Sequence, residues 1–198
     1  EGHKSYDEVC ADLALAIEAA LAKPEVALAV LGAVQSDDTL ARVQQADSGA
    51  FGRVILASKT LANPEFPNAR VRTPVLLACD ERDEQLYMEE RFGPITFVVK
   101  VADTAAALAL SERIIGTHGA LTAGIYSTQA EVVDAMTAAT WRSKVALSIN
   151  LTGGVFVNQS AAFSDYHGTG GNPAANASYS DSAFVANRFR VVQRRYHV

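Results

Sequence analysis

A chain of 198 residues, 49% of them hydrophobic, can bury a sizeable core, which excludes a largely disordered protein. A formal net charge of −5 and a sequence pI near 5.4 exclude a global positive field that would gather nucleic acid or coat an anionic membrane. Two cysteines and no apolar run near the roughly 20 residues of a membrane span leave a reduced, cytoplasmic chain as the expectation, with small molecules or proteins as partners.

From Ser5 to Ala22, the residues Tyr6, Val9, Cys10, Leu13, Ile17 and Leu21 recur at helical spacing, and Pro24 follows the expected end. A second helix is expected to start with Asp37 as N-cap, to carry Leu40 and Val43 inward and to stop at Gly49. The strand-like GRVILAS follows, then LANPEFPNARVRTP, which reads as irregular structure. Val75 to Cys79 and Ile95 to Val101 read as strands buried on both faces. Asp103 can cap a helix to about Thr117, ALTAGIYS reads as a strand, and TQAEVVDAMTAAT as a helix with Thr128 as cap.

VALSINL and GVFVNQS continue the strand and helix alternation, so an α/β fold with a parallel, helix-covered sheet is expected. Ser160 to Asp181 reads as a long structured loop, of a length that usually serves function. The chain closes on RFRVVQRRYHV, a strand carrying Arg188, Arg190 and Arg194, with no internal repeat anywhere.

Cys10 lies on the apolar stripe of the first helix and Cys79 ends a buried strand with no cationic neighbour, so both read as packing thiols. Asp165 and His167 form an Asp-x-His pair, yet the nucleophile turn G-x-S-x-G is missing from the sequence. The glycines at 168, 170 and 171 follow no strand and open no helix, unlike a phosphate cradle. The Asn-x-Ser/Thr triplets at Asn150, Asn158 and Asn176 carry no message about glycosylation without a secretory context. No cysteine and histidine spacing points to a metal. The arginine-bearing last strand suits pairing with another subunit better than nucleic acid.

The stretch EERFGP offers a carboxylate suited to paired ribose hydroxyls and, two positions on, an aromatic suited to a flat cofactor ring. By itself it reads equally as a helix end followed by a tight turn.

Glu89 to Pro94 resembles the E-E-x-F-G-P signature of the NAD(P)-dependent aldehyde dehydrogenases, and Arg72-Thr73-Pro74-Val75-Leu76 resembles the strand-leading element upstream of it. HGALTAGIYSTQ and GGVFVNQS are similar to later family segments in the same order. LSINLTGGVFVNQSAAFSDYHGTGGNPAANAS and AFVANRFRVVQRR resemble the phenylacetic acid degradation (PaaN) type. This resemblance implies that residues 1–182 are the C-terminal part of a catalytic domain and that 183–198 form an oligomerisation segment through Arg188, Arg190, Val192 and Arg194.

It further implies that Glu90 binds the nicotinamide-side ribose of NAD or NADP, that Phe92 packs near the nicotinamide, and that Asn158 and Phe163 border the aldehyde pocket. A homo-oligomer oxidising an aldehyde, with a coenzyme A thioester semialdehyde as a suggested substrate class, is the implied enzyme. In that family a thiolate attacks the aldehyde, hydride passes to the nicotinamide and water releases the acid.

Two departures accompany the resemblance. The family's nucleophilic Cys lies just before the helix matching residues 5 to 22, with the general-base Glu and the dinucleotide fold further upstream. Cys10 falls inside that helix and takes no such role, so the fragment alone is expected to be inactive. Where most of the family has P-F-G-G-x-K-x-S-G, this chain has YHGTGGNPAAN. A non-catalytic oligomerisation or regulatory module, and a hydrolase built on Asp165 and His167, are the competing readings.

Overall fold

The computed structural model describes residues 3–120, 122–143, 145–150 and 194–196. They fall into two compact units, Gly2–Val101 and Ala102–Val198. Among the described residues, no helix is long and apolar enough to cross a membrane. The mixed α/β composition agrees with the fold class read from sequence.

The first unit opens with α1 (Tyr6–Ala20), held by a capping box. The Ser5 hydroxyl accepts from the Glu8 N–H at 3.3 Å, and the Glu8 carboxylate accepts from the Ser5 N–H at 2.7 Å. The Ser5 hydroxyl, which donates to the Glu8 carboxylate at 2.7 Å, and then the Ser5 N–H hold the Glu8 carboxyl below its usual range. Cys10 is fully buried, with Tyr6, Ala14 and Ile17 half-buried on the same face. Val9 and Leu13, counted inward from the spacing, stay 38% and 41% exposed. They lie to one side of the buried stripe, Leu13 rotated about 60° and Val9 about 100° from Cys10 around the helix.

Pro24 does more than end α1, because it is also the first residue of α2 (Pro24–Val30). A proline at that position loses no hydrogen bond and presets a helical φ. In α3 (Asp37–Asp47) the N-cap is Ser36, one residue before the expected Asp37, and its hydroxyl accepts from the Thr39 N–H at 3.1 Å. Val43 and Ala46 of α3 are fully buried against Val75 and Leu77. Each fully buried Val or Leu contributes about 1.5–3 kcal/mol.

The sheet of this unit has the order β1 (Arg53–Leu56), β4 (Val75–Asp80), β5 (Ile95–Lys100). β4 and β5 are parallel, as expected, with Val75 opposite Ile95. β1 is antiparallel to β4, a correction to an all-parallel sheet. The chain between them contains no crossover helix; it folds into β2 (Thr60–Leu61) and β3 (Val71–Arg72), an antiparallel pair that, Thr60 apart, falls in the stretch read as irregular. Antiparallel neighbours require no helical return. Central β4 is buried from Val75 to Cys79, whereas edge strand β5 is only half-buried, so burial on both faces holds for the first strand and not the second. β1 also needs a glycine before it, since a Cβ on Gly52 (φ +137°) would lie 2.8 Å from Cys79 Sγ and 2.9 Å from the Ala78 carbonyl.

A polar hub fixes the approach to β4. The Arg72 guanidinium donates to Asp47 Oδ2 at 2.7 Å, to Ser58 Oγ at 2.9 Å and to Thr60 Oγ1 at 2.8 Å, with its side chain only 15% exposed. Asp47 Oδ1 accepts from the Ser58 N–H at 2.7 Å, which uses the second carboxylate oxygen.

The second unit begins where Asp103 caps α5 (Thr104–His118), its carboxylate accepting from the Ala106 N–H at 2.8 Å. β6 (Thr122–Ile125), β7 (Ala146–Ile149) and β8 (Arg194–Tyr196) form a parallel sheet in that order. Ile115, Met136, Val145, Leu147 and Ile149 make its core, with Met136 supplied by α6 (Ala130–Ser143). α6 begins at Ala130, one residue later than a cap at Thr128 would place it, and just before it the Ser127 hydroxyl accepts from the Gln129 N–H at 3.1 Å. Asn150, at φ +51°, exchanges two 2.9 Å hydrogen bonds with the Ser127 backbone and so ties the end of β7 to that of β6. Asn tolerates this left-handed conformation better than most residues. Arg194 lies in β8, paired with β7 of the same chain. Arg188, Arg190 and Val192 lie outside the described residues.

Candidate functional site

Beyond β4, the short helix α4 (Glu84–Tyr87) is anchored by Tyr87, which is 8% exposed and donates its hydroxyl to the Glu81 carbonyl at 2.6 Å. The chain then runs through residues 88–94 to β5. Pro94 closes that run, its carbonyl accepting from the Val75 N–H at 2.8 Å at the amino end of both parallel strands.

From Glu90 to Gly93, alternate residues turn opposite ways. Arg91 turns back onto the protein: its guanidinium sits 4.8 Å from the Phe51 ring centroid, 3.4 Å from Glu89, and donates to the Gln85 carbonyl at 3.2 Å. Its Nε is buried without a hydrogen-bond partner among the described residues, a desolvation cost set against the stacking on Phe51. Gly93, at φ +146°, lies so close to α3 that a Cβ would stand 3.3 Å from Thr39 Cγ2. Glu90 and Phe92, on either side of Arg91, are turned out; Glu90 is exposed and Phe92 is 68% exposed. Both line an open cleft of about 400 Å³, together with Tyr87, Ile95 and Phe97.

The pairing of a carboxylate with an aromatic two positions on is therefore present as a surface feature. An exposed carboxylate can accept from two hydroxyls at once, and the exposed ring offers a flat apolar face. Sequence reasoning missed the side chains that create this presentation, Arg91 with Phe51 and Arg42 with the Phe92 carbonyl, because the partners lie 40 and 50 positions apart. Only Gly93 was visible in the motif itself.

The thiols behave as packing groups. Cys79 is 5% exposed and donates to the Phe51 carbonyl at 3.4 Å. Burial pushes its pKa up, with the Asp83 carboxylate adding to the effect, so the nucleophilic thiolate is disfavoured. It also stands at the opposite end of β4 from the turn, opposite Val99 of β5. Cys10 is 2% exposed beneath α1. Beside them the Tyr6 hydroxyl donates to the Val98 carbonyl at 2.7 Å, and burial, followed by its hydrogen bond with Cys10, raises its pKa to about 12.

Among the described residues, no cluster of histidine, cysteine and carboxylate side chains could hold a metal. Asn158, Phe163, Asp165 and His167, together with the glycines at 168, 170 and 171, lie outside the described residues.

Against known proteins, the model of the family described as "Aldehyde dehydrogenase family" matches residues 3–184. The crystal structure of an NAD-dependent aldehyde dehydrogenase from Burkholderia multivorans is 53% identical in sequence, with a TM-score of 0.80, over 96% of this chain and 34% of that one. The chain thus spans about a third of the length of that solved protein. No curated protein matches it.

Proposed function

Because the chain belongs to the aldehyde dehydrogenase family, we propose that it works as the C-terminal part of an NAD(P)-dependent enzyme of the phenylacetic acid degradation type, oxidising an aldehyde to the acid. The observation that carries this reading is the outward pair Glu90 and Phe92 on one cleft. In this reading Glu90 accepts from the ribose hydroxyls on the nicotinamide side, and Phe92 lies against the nicotinamide ring. The nicotinamide, when bound, supplies the hydride acceptor.

The residues present fit that group. A cleft of about 400 Å³ has room for the nicotinamide riboside half of the dinucleotide. Its polar lining holds the acceptor-only carboxylates of Glu89 and Glu90 beside Arg91, and its apolar lining includes the Phe92 ring. What this chain's residues do is bind and orient: Glu90 fixes the ribose and Phe92 limits rotation of the ring, which holds one face toward the aldehyde. The nucleophilic thiol and the general base belong, in this reading, to sequence outside these 198 residues, as do the bulk of the dinucleotide contacts. The 53% identical relative is described as NAD-dependent, which favours NAD over NADP.

Asn158 and Phe163 are proposed to border the aldehyde pocket. Residues 183–198, including Arg188, Arg190, Val192 and Arg194, are proposed to join an oligomerisation surface in a homo-oligomer. A cytoplasmic enzyme acting on a semialdehyde carried as a coenzyme A thioester is the setting that the same resemblance supports.

The test is Glu90→Gln in the full-length enzyme, with NAD affinity measured by titration of intrinsic fluorescence. Losing a charged acceptor costs about 1–3 kcal/mol, so affinity should fall about tenfold. Unchanged affinity would refute the role given to Glu90.

A further inference from the structure

We propose that Arg42 is a positioning residue for the turn that carries Glu90 and Phe92, and that α3 is the platform on which this half-site is set. The inference rests on the cofactor-facing reading of that turn. Thr39, Arg42 and Val43 are spaced i, i+3 and i+4 on α3, so they share one face of the helix. That face meets consecutive residues of the turn. A Cβ on Gly93 would stand 3.3 Å from Thr39 Cγ2 and 3.6 Å from Val43 Cγ2, so the turn's backbone lies directly on the helix. Arg42 Nη1 donates to the Phe92 carbonyl at 2.5 Å, across 50 positions of sequence.

A charge-assisted bond to that carbonyl restrains the peptide plane between Phe92 and Gly93. Phe92 is otherwise exposed, and no other described hydrogen bond reaches its backbone oxygen. Glu90, two residues back, is held through Arg91 on Phe51. The pair is therefore fixed from two sides, by Arg91 on the core side and by Arg42 on the helix side. The two anchors differ in what their loss would do. Removing Arg91 strips a stacking contact from Phe51, which packs against the buried cluster of Val43, Ala46, Val75 and Leu77. Removing Arg42, which is half-buried, deletes one hydrogen bond to a backbone oxygen and leaves that cluster whole. Arg42 therefore acts on the geometry of the turn more than on the stability of the fold.

The experiment compares Arg42→Ala, Arg42→Lys and Glu90→Gln in the full-length enzyme. Three readouts are taken: NAD affinity with KM and kcat, the melting temperature, and the fluorine NMR signal of an enzyme in which Phe92 is replaced by 4-fluorophenylalanine. Arg42→Ala should weaken NAD binding about tenfold, the equivalent of one hydrogen bond from a charged donor, and should lower the melting transition only slightly. Its fluorine signal should shift and broaden, and Arg42→Lys, which keeps the charge and a donor, should recover part of both effects. If Glu90→Gln weakens NAD binding and Arg42→Ala does not, the positioning role is wrong while the reading of the turn stands. If neither variant changes affinity, the reading of the turn falls and takes the inference with it. Should Arg42→Ala fail to fold, Arg42→Met, which keeps much of the side-chain bulk but no donor, is read instead, and an unchanged fluorine signal with an unchanged KM for NAD in that enzyme would overturn the proposal.

Discussion

The two stretches that carry the family resemblance in the first unit, Arg72–Leu76 and Glu89–Pro94, have opposite physical fates. In the first, Arg72 is the centre of a nearly buried polar hub with Asp47, Ser58 and Thr60, and Val75 and Leu76 are buried at 0% and 1% exposure. In the second, Glu90 and Phe92 stand in solvent while Arg91 and Gly93 anchor them. As strings of letters both look like motifs. Burial separates them: a motif residue whose side chain is satisfied inside the fold is accounted for by stability, whereas one held outward by its neighbours calls for a ligand.

The sharpest way to test that division is to truncate the buried side. Leu76→Ala removes a side chain from the central strand and should destabilise the protein by about 3 kcal/mol, within the range for fully packed leucines. Urea denaturation would show it, and a loss under about 1 kcal/mol would mean that the site collapses around the smaller side chain or that β4 is less central than described.

An intermediate case lies at Tyr6, half-buried, whose hydroxyl bonds the Val98 carbonyl of edge strand β5. Tyr6→Phe should cost about 1 kcal/mol at neutral pH, the worth of one hydrogen bond. The sign of its pH dependence follows from the raised pKa. The folded state keeps the phenol protonated to about pH 12, against an ordinary value of 10.0, so its contribution is complete below pH 10 and is lost as the pH rises through about 12. Denaturation of both proteins across that window should show the wild type losing its advantage over Tyr6→Phe. A difference that stays constant would mean that the phenol does not titrate against the fold.

Much of the backbone was legible because its causes are local. Asp103 capping α5, the apolar run of β4 and the alternation of β6, α6 and β7 are written within a few residues of where they act. The offset between Ser36 and Asp37 is the usual ambiguity when two capping residues stand together. The antiparallel β1 was not legible, because strand direction depends on what lies between β1 and β4, and the β2 and β3 pair is two residues long on each side. At the site, Glu90, Phe92 and Gly93 were readable in one hexapeptide. Arg42 and Phe51 were not: each acts on the turn from another element, by a contact that leaves no periodicity or spacing in the chain.

The smallest expected effect on stability is the most discriminating one. Phe92 is 68% exposed, and its backbone, not its ring, carries the bond from Arg42. Phe92→Ala therefore keeps the Arg42 contact, the Arg91 stacking and the Gly93 approach, and should change folding stability by less than about 0.5 kcal/mol. A large aromatic that contributes so little to the fold yet is presented by three separate anchors has its use outside the fold. If Phe92→Ala instead lowers the denaturation midpoint as far as Leu76→Ala does, the ring is packed in solution, and the contrast between the two motif stretches is lost.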